Sequence, residues 1–268
     1  MGRRGVLQLA ALALLTWVAS SVMAAALADG MIFTPPVPSY DAALPGLVRL
    51  PTATGDTIAA RWVGTPGARV AHLYAHGNGE DIGHGRYMAD AYADLGASVL
   101  TIDYPGYGLS TGRPSEEGAY ATIDAAYAWL REEAGFAPEA IVAHGRSLGA
   151  AVAVDLAARE RVGGLVIESG FVSAYRVLTR IPVLPFDQFT SLAKLSSVDA
   201  PVLVIHGGLD AVIAPWHGRR LYDAVPEDRR SALWVDQAGH NDLADVGGEA
   251  YWRTLADFFR AVGAGVGR

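Results

Sequence analysis

The strongest chemical signal in the chain is a serine framed by glycines where an apolar run meets a helical one. Ile141, Val142, Ala143 and His144 lead into Gly145-Arg146-Ser147-Leu148-Gly149, and Ala150 to Val154 continue as an alanine- and valine-rich helix. A hydroxyl on a sharp strand-to-helix turn stands clear of the sheet. It also sits at a helix N-terminus, whose N–H groups favour developing negative charge. A serine is a weak nucleophile at neutral pH, so it needs a base, and the base needs an acid to orient it. Two later segments offer them. Leu203-Val204-Ile205-His206-Gly207-Gly208-Leu209-Asp210 carries an aspartate past an apolar run, and Trp234-Val235-Asp236-Gln237-Ala238-Gly239-His240 does the same for a histidine. The expected catalytic set is Ser147, Asp210 and His240, for acyl transfer through a covalent intermediate.

The competing acid is Glu168, just beyond another apolar run. Among the seven histidines, His72, His144 and His206 lie in or beside apolar runs and read as packing residues. His84 and His217 read as surface or loop groups. An earlier segment, Tyr74-Ala75-His76-Gly77-Asn78-Gly79, places a tight turn after a strand-like run. Its geometry would aim the Asn78 N–H at a substrate carbonyl, with the Leu148 N–H as second oxyanion donor and His76 shaping the loop. A plain glycine-rich turn is the alternative. The turn Asp103-Tyr104-Pro105-Gly106-Tyr107-Gly108 reads either as a pocket wall or as structure alone.

The elements that must position these residues alternate along the chain. Residues 47–50 and 57–63 flank Thr54-Gly55-Asp56 as a β-hairpin. Apolar runs at 70–75, 97–102, 140–143, 164–167, 201–205 and 232–235 alternate with helical patterns at 86–95, 115–133, 148–159, 216–224 and 248–262. The runs are apolar on both faces, as strands covered by helices on either side must be. This predicts an α/β fold with a doubly wound, mostly parallel sheet and helices on both faces. Residues 173–195 break the rhythm and read as a small cap insertion on a domain spanning 47–268.

Residues 31–46 contain Pro35, Pro36 and Pro38 and read as a stiff linker. Ahead of it, residues 6–28 carry no charge and follow Arg3 and Arg4. The stretch 1–30 is expected to be a signal anchor, with the catalytic domain exported, or a cleaved signal peptide that leaves a secreted or periplasmic protein.

Composition narrows the partners. The chain has 268 residues, a formal net charge of −7 and no cysteine, so a broad basic surface for nucleic acid is not expected, and disulfides, thiolate metal sites and a cysteine nucleophile are excluded. No HExxH pattern is present, so neither metal nor cofactor is implied. The expected partner is a small-molecule or lipid-like acyl substrate, with membrane association through the N-terminal segment.

Five blocks together resemble the α/β-hydrolase superfamily: His76-Gly77-Asn78-Gly79-Glu80-Asp81, residues 103–108, residues 145–149, residues 204–210 and Gly239-His240-Asn241-Asp242. Within it, the chain is most similar to the membrane-tethered group that includes the eukaryotic protein depalmitoylases of α/β-hydrolase-domain type. Met31-Ile32-Phe33-Thr34-Pro35-Pro36 adds to that likeness. The resemblance implies hydrolysis of ester or thioester bonds, with the order serine, acid, histidine along the chain. The cysteine-rich N-terminus that such enzymes use for their own lipidation is missing, which counts against a protein-depalmitoylating role. A peptidase of the same fold and a silent, binding-only hydrolase fold are the alternatives. The first usually carries a large accessory domain, and the second usually lacks one of the three catalytic residues.

Overall fold

The computed structural model describes residues 8, 12, 15–18, 29, 30, 32–179, 181 and 186–266. Eight strands form one sheet: β1 (Leu47–Pro51), β2 (Thr57–Val63), β3 (Ala71–Ala75), β4 (Ser98–Ile102), β5 (Ile141–Arg146), β6 (Gly164–Glu168), β7 (Val202–Gly207) and β8 (Arg230–Val235). Their spatial order is β1-β2-β4-β3-β5-β6-β7-β8. β1 and β2 pair as an antiparallel hairpin, β2 runs antiparallel to β4, and β3 to β8 are mutually parallel. The order turns back at β3, the first parallel strand, so connections leave toward opposite sides and both faces acquire helices.

Side-chain alternation explains why two helical layers are needed. Leu73, Leu100, Ala143, Ile167 and Val204 point into one core, while Tyr74, Val99, Val142, Val166 and Leu203 point into another. The first core is covered by α2 (Glu116–Glu132), α3 (Leu148–Arg159) and α5 (Trp216–Ala224), through Ile123, Leu130, Val152, Leu156 and Leu221. The second is covered by α1 (Arg86–Asp94) and α6 (Leu243–Gly265), through Tyr92, Tyr251, Leu255 and Phe259. A strand with period-2 side chains and apolar residues at every position can satisfy both layers at once. Each fully buried Leu, Ile or Val contributes about 1.5–3 kcal/mol by this burial.

Helix α2 starts where the sequence supplies a cap. Ser115 has extended backbone and its side chain accepts a 3.0 Å hydrogen bond from the Gly118 N–H, with Glu116 and Glu117 in the first turn. Helix α6 departs from the predicted 248–262. It begins at Leu243, five residues earlier, and Gly248 breaks it with φ +49°. The added turn is closed by the Val246 N–H on the Asp242 carbonyl at 2.8 Å. Glycine at 248 has non-helical backbone and separates the added turn from the helix that follows, which starts where the sequence pattern placed it.

Between β6 and β7, the described part of the 173–195 stretch holds a 3₁₀ turn at Tyr175–Val177, the one-turn helix α4 (Ser191–Lys194) and the start of a second 3₁₀ turn at Leu195–Ser197. The apolar segment 6–28 lies largely outside the described residues. Among the described residues no helix is long and apolar enough to cross a membrane.

Candidate active site

Ser147 occupies the turn between β5 and α3 with φ 54° and ψ −115°, a backbone region that a side chain rarely adopts. Its surroundings impose this strain. The Ser147 N–H donates to the Glu168 carbonyl at 2.9 Å, and the Ser147 carbonyl accepts from the Ala150 N–H at 3.1 Å. Gly145 and Gly149 allow the turn to close. A Cβ on Gly145 would overlap the Gly149 carbonyl, and a Cβ on Gly149 would overlap the Ala75 carbonyl at the end of β3.

Asp210 and His240 follow β7 and β8, so neighbouring parallel strands deliver both to the sheet edge where Ser147 stands. His240 Nε2 lies 3.1 Å from Ser147 Oγ, and Nδ1 lies 2.8 Å from Asp210 Oδ2. The other carboxylate oxygen of Asp210 accepts the Val212 and Ile213 N–H groups at 2.9 and 2.7 Å. Burial pushes the Asp210 carboxyl up, but the His240 and Ile213 hydrogen bonds outweigh it and hold the group below the ordinary carboxylate range. An ionised Asp210 keeps the ring proton on Nδ1, which leaves Nε2 as an acceptor facing the serine hydroxyl.

The loop after β3 lies against Ser147. A Cβ built on Gly77 would stand 3.5 Å from Ser147 Cβ, so Asn78 follows directly from a residue beside Ser147. Leu148 is the first residue of α3, where its N–H is one of the helix's open donors. His76 turns away from the serine. Its ring nitrogens face the Gly77 carbonyl at 2.8 Å and Asp103 Oδ1 at 3.1 Å. Burial lowers its pKa, but the hydrogen bond and charge of Asp103 reverse that and raise it. The tyrosines of the 103–108 turn brace this loop: Tyr104 O–H donates to the His76 carbonyl at 2.6 Å and Tyr107 O–H to Asn78 Oδ1 at 2.5 Å.

Glu168, the competing acid, faces elsewhere. Its Oε2 accepts from Tyr251 O–H at 2.7 Å and lies 3.2 Å from His144 Nε2, whose Nδ1 is 2.9 Å from His72 Nε2. Burial would raise the Glu168 pKa, but the His144 hydrogen bond and the neighbouring positive groups lower it. His72 and His144 are thus buried network members. His206 donates from Nε2 to the Ile213 carbonyl at 2.9 Å, beside Asp210, and burial lowers its pKa. The half-exposed His84 ring contacts Asp81 at 2.8 Å, consistent with a surface group. His217 is not one: it is 1% exposed, in the first turn of α5, stacked on Trp216 with ring centroids 3.7 Å apart. Its Nδ1 accepts the Val172 N–H at 3.2 Å, and the β6–β7 connection closes over it.

Sequence reasoning assigned no role to Arg146, the variable position beside the serine. Its guanidinium pairs with Glu80 through Nη1, donates to Asn241 Oδ1 from Nη2 at 2.7 Å, and has Nε 3.8 Å from Glu168 Oε1. One side chain therefore ties the Asn78 loop, the end of β6 and the residue after His240. The available signal was the placement of a long cation between two loops carrying Glu80 and Asn241. Among the described residues no group of three or more His, Cys, Asp or Glu side chains could hold a metal ion.

The doubly wound sheet, the strained serine turn and the order serine, aspartate, histidine define an α/β-hydrolase, and the chain belongs to that superfamily. The alpha/beta hydrolase fold family matches residues 73–186. Alpha/beta hydrolase domain-containing protein 17B of Xenopus tropicalis is 38% identical over 199 residues, covering 72% of this chain and 68% of that protein. Alpha/beta hydrolase domain-containing protein 17C of Mus musculus is 42% identical over 185 residues, covering 66% of this chain and 56% of its own length. The match thus spans little more than half of the mouse protein. The group singled out by the sequence resemblance is the one these relatives belong to. The esterase Pf2001 of Pyrococcus furiosus shares the fold, with a TM-score of 0.72 and 18% identity over 85% of this chain and 99% of that chain.

Proposed function

We propose that the protein is a serine hydrolase cleaving carboxylic ester or thioester bonds through an acyl-enzyme. The observation that carries this reading is the continuous line from Ser147 Oγ to His240 Nε2 at 3.1 Å and from His240 Nδ1 to Asp210 Oδ2 at 2.8 Å. His240 Nε2 accepts the hydroxyl proton as Ser147 Oγ bonds to the substrate carbonyl carbon. The oxyanion that forms is received by the N–H groups of Asn78 and Leu148. The imidazolium then gives its proton to the departing alkoxide or thiolate. Water, deprotonated by the same nitrogen, attacks the acyl-enzyme, and the carboxylic acid leaves as Ser147 regains its proton.

The intact three-residue line favours an enzyme over a binding-only fold. The substrate is an acyl compound, in keeping with the resemblance to hydrolases that act on acyl chains. The test is turnover of short-chain nitrophenyl esters and thioesters by the wild type and by Ser147→Ala. The variant is expected to lose at least about 10³-fold in kcat with its fold intact. Equal turnover by both refutes the assignment.

A further inference from the structure

We infer that the strap over residues 32–40 is a positioning element of the catalytic site, acting through the Asn78 side chain. The inference rests on the oxyanion role proposed for the Asn78 N–H. The Asn78 carboxamide is fastened on both sides. Its Nδ2 donates to the Ile32 carbonyl at 2.5 Å, and its Oδ1 accepts the Thr34 N–H at 2.9 Å, Tyr107 O–H at 2.5 Å and its neighbour's Gly79 N–H at 3.1 Å. Farther along, the Ser39 N–H and hydroxyl both reach the Asp81 carboxylate, the N–H at 2.7 Å. Tyr40 O–H pairs with Asp103 Oδ2, and Asp103 Oδ1 takes the Ile82 N–H at 2.9 Å and faces His76 Nε2 at 3.1 Å. The strap therefore reaches the 76–82 loop directly at Asn78 and Asp81, and through Asp103 at His76 and Ile82.

That loop needs outside support. An oxyanion donor must point at the place where charge will develop, and small misplacement weakens it steeply. Yet Asn78 stands between two glycines, one of them, Gly79, at φ +77°. It is also solvent-exposed, where water competes for its hydrogen bonds. Phe33 supplies what the exposed amide lacks. It is 5% exposed, edge-on to Tyr107 at 6.4 Å and to Phe189 at 5.9 Å between ring centroids. Phe189 is fully buried, and φ +51° marks its backbone as strained. Its N–H is held by Glu116 at 2.7 Å. Apolar burial thus seats the strap, the strap's main chain fixes the carboxamide, and the carboxamide fixes the N–H of the same residue.

The test uses the full-length chain and short-chain nitrophenyl esters. Thr34→Pro removes the N–H that Asn78 Oδ1 and the Tyr107 hydroxyl share, and Asn78→Ala deletes the carboxamide. Each is expected to lower kcat about 10- to 100-fold with KM nearly unchanged, and to accelerate hydrogen exchange at Gly79. Because both cut the same link, the double variant falls no further than the worse single. Asp199→Ala, exposed and at the end of β7 opposite Asp210, keeps wild-type kcat. Wild-type kcat in both single variants, or a double variant whose loss is the product of the two, overturns the inference. A wild-type chain inert toward esters, with exchange still accelerated in Thr34→Pro, overturns the oxyanion reading and retains the strap as a structural clamp only.

Discussion

In the proposed hydrolysis Asp210 acts only through His240, by accepting its Nδ1–H across an N···O distance of 2.8 Å and offsetting the charge formed when Nε2 takes the serine proton. Asp210→Asn preserves the shape but turns an acceptor into a group that can donate, which favours the wrong imidazole tautomer. The expected result is a kcat lower by about 10³- to 10⁴-fold with little change in melting temperature, measured by ester turnover and thermal unfolding. His217 provides a second residue-scale prediction. Burial first, then the neighbouring His206 and Arg176 charges, lower its pKa to about 4 in the fold, while an unfolded histidine titrates near 6.5. Above pH 6.5 both states are neutral and His217 contributes no pH dependence. As pH falls from 6.5 to 4 the unfolded chain binds a proton that the fold refuses, so stability declines across that window by about 1–3 kcal/mol. His217→Gln is expected to flatten this part of the stability curve, measured by urea unfolding at pH 7 and pH 5. An unchanged slope contradicts the account.

At the scale of elements, the serine turn is held by what its glycines lack. Gly145→Ala would drive a methyl group into the Gly149 carbonyl, a backbone atom that cannot swing aside. The variant is expected to lose more than about 3 kcal/mol or fail to fold, measured by thermal unfolding, and a wild-type melting temperature contradicts the steric argument. These glycines were readable in the sequence because the motif needs them whatever its neighbours are. The strand pattern was readable for a similar reason: runs such as Leu203-Val204-Ile205 are apolar at consecutive positions, which suits burial on both faces. The extra turn before Gly248, the burial of His217 and the ties made by Arg146 were not readable. Each depends on which distant segment packs there. Val172 and Trp216 enclose His217, and Glu80 and Asn241 receive Arg146, and no local period records those meetings. The Tyr40 to Asp103 link is of the same kind, joining residues 63 apart in sequence.

At the scale of the whole molecule, six parallel strands carry every proposed catalytic group to one edge, so the site is a property of the sheet and not of any single loop. The chain reaches that edge from its N-terminal side through the strap at Ile32 to Tyr40. We propose that the apolar residues 6–28 tether this edge near a lipid surface. The full-length chain is then expected to sediment with membranes and resist alkaline extraction, and a chain lacking residues 1–28 to remain in the supernatant with its ester hydrolysis intact; equal partitioning of the two removes the tether.

The most direct measurement of the central claim is reaction of the full-length protein with a fluorophosphonate probe, followed by mass spectrometry of the peptide containing residue 147. The account predicts one covalent adduct, on Ser147, formed rapidly in the wild type and at least about 10³-fold more slowly in His240→Ala. A folded wild-type chain that carries no adduct, or carries it on another residue, contradicts it.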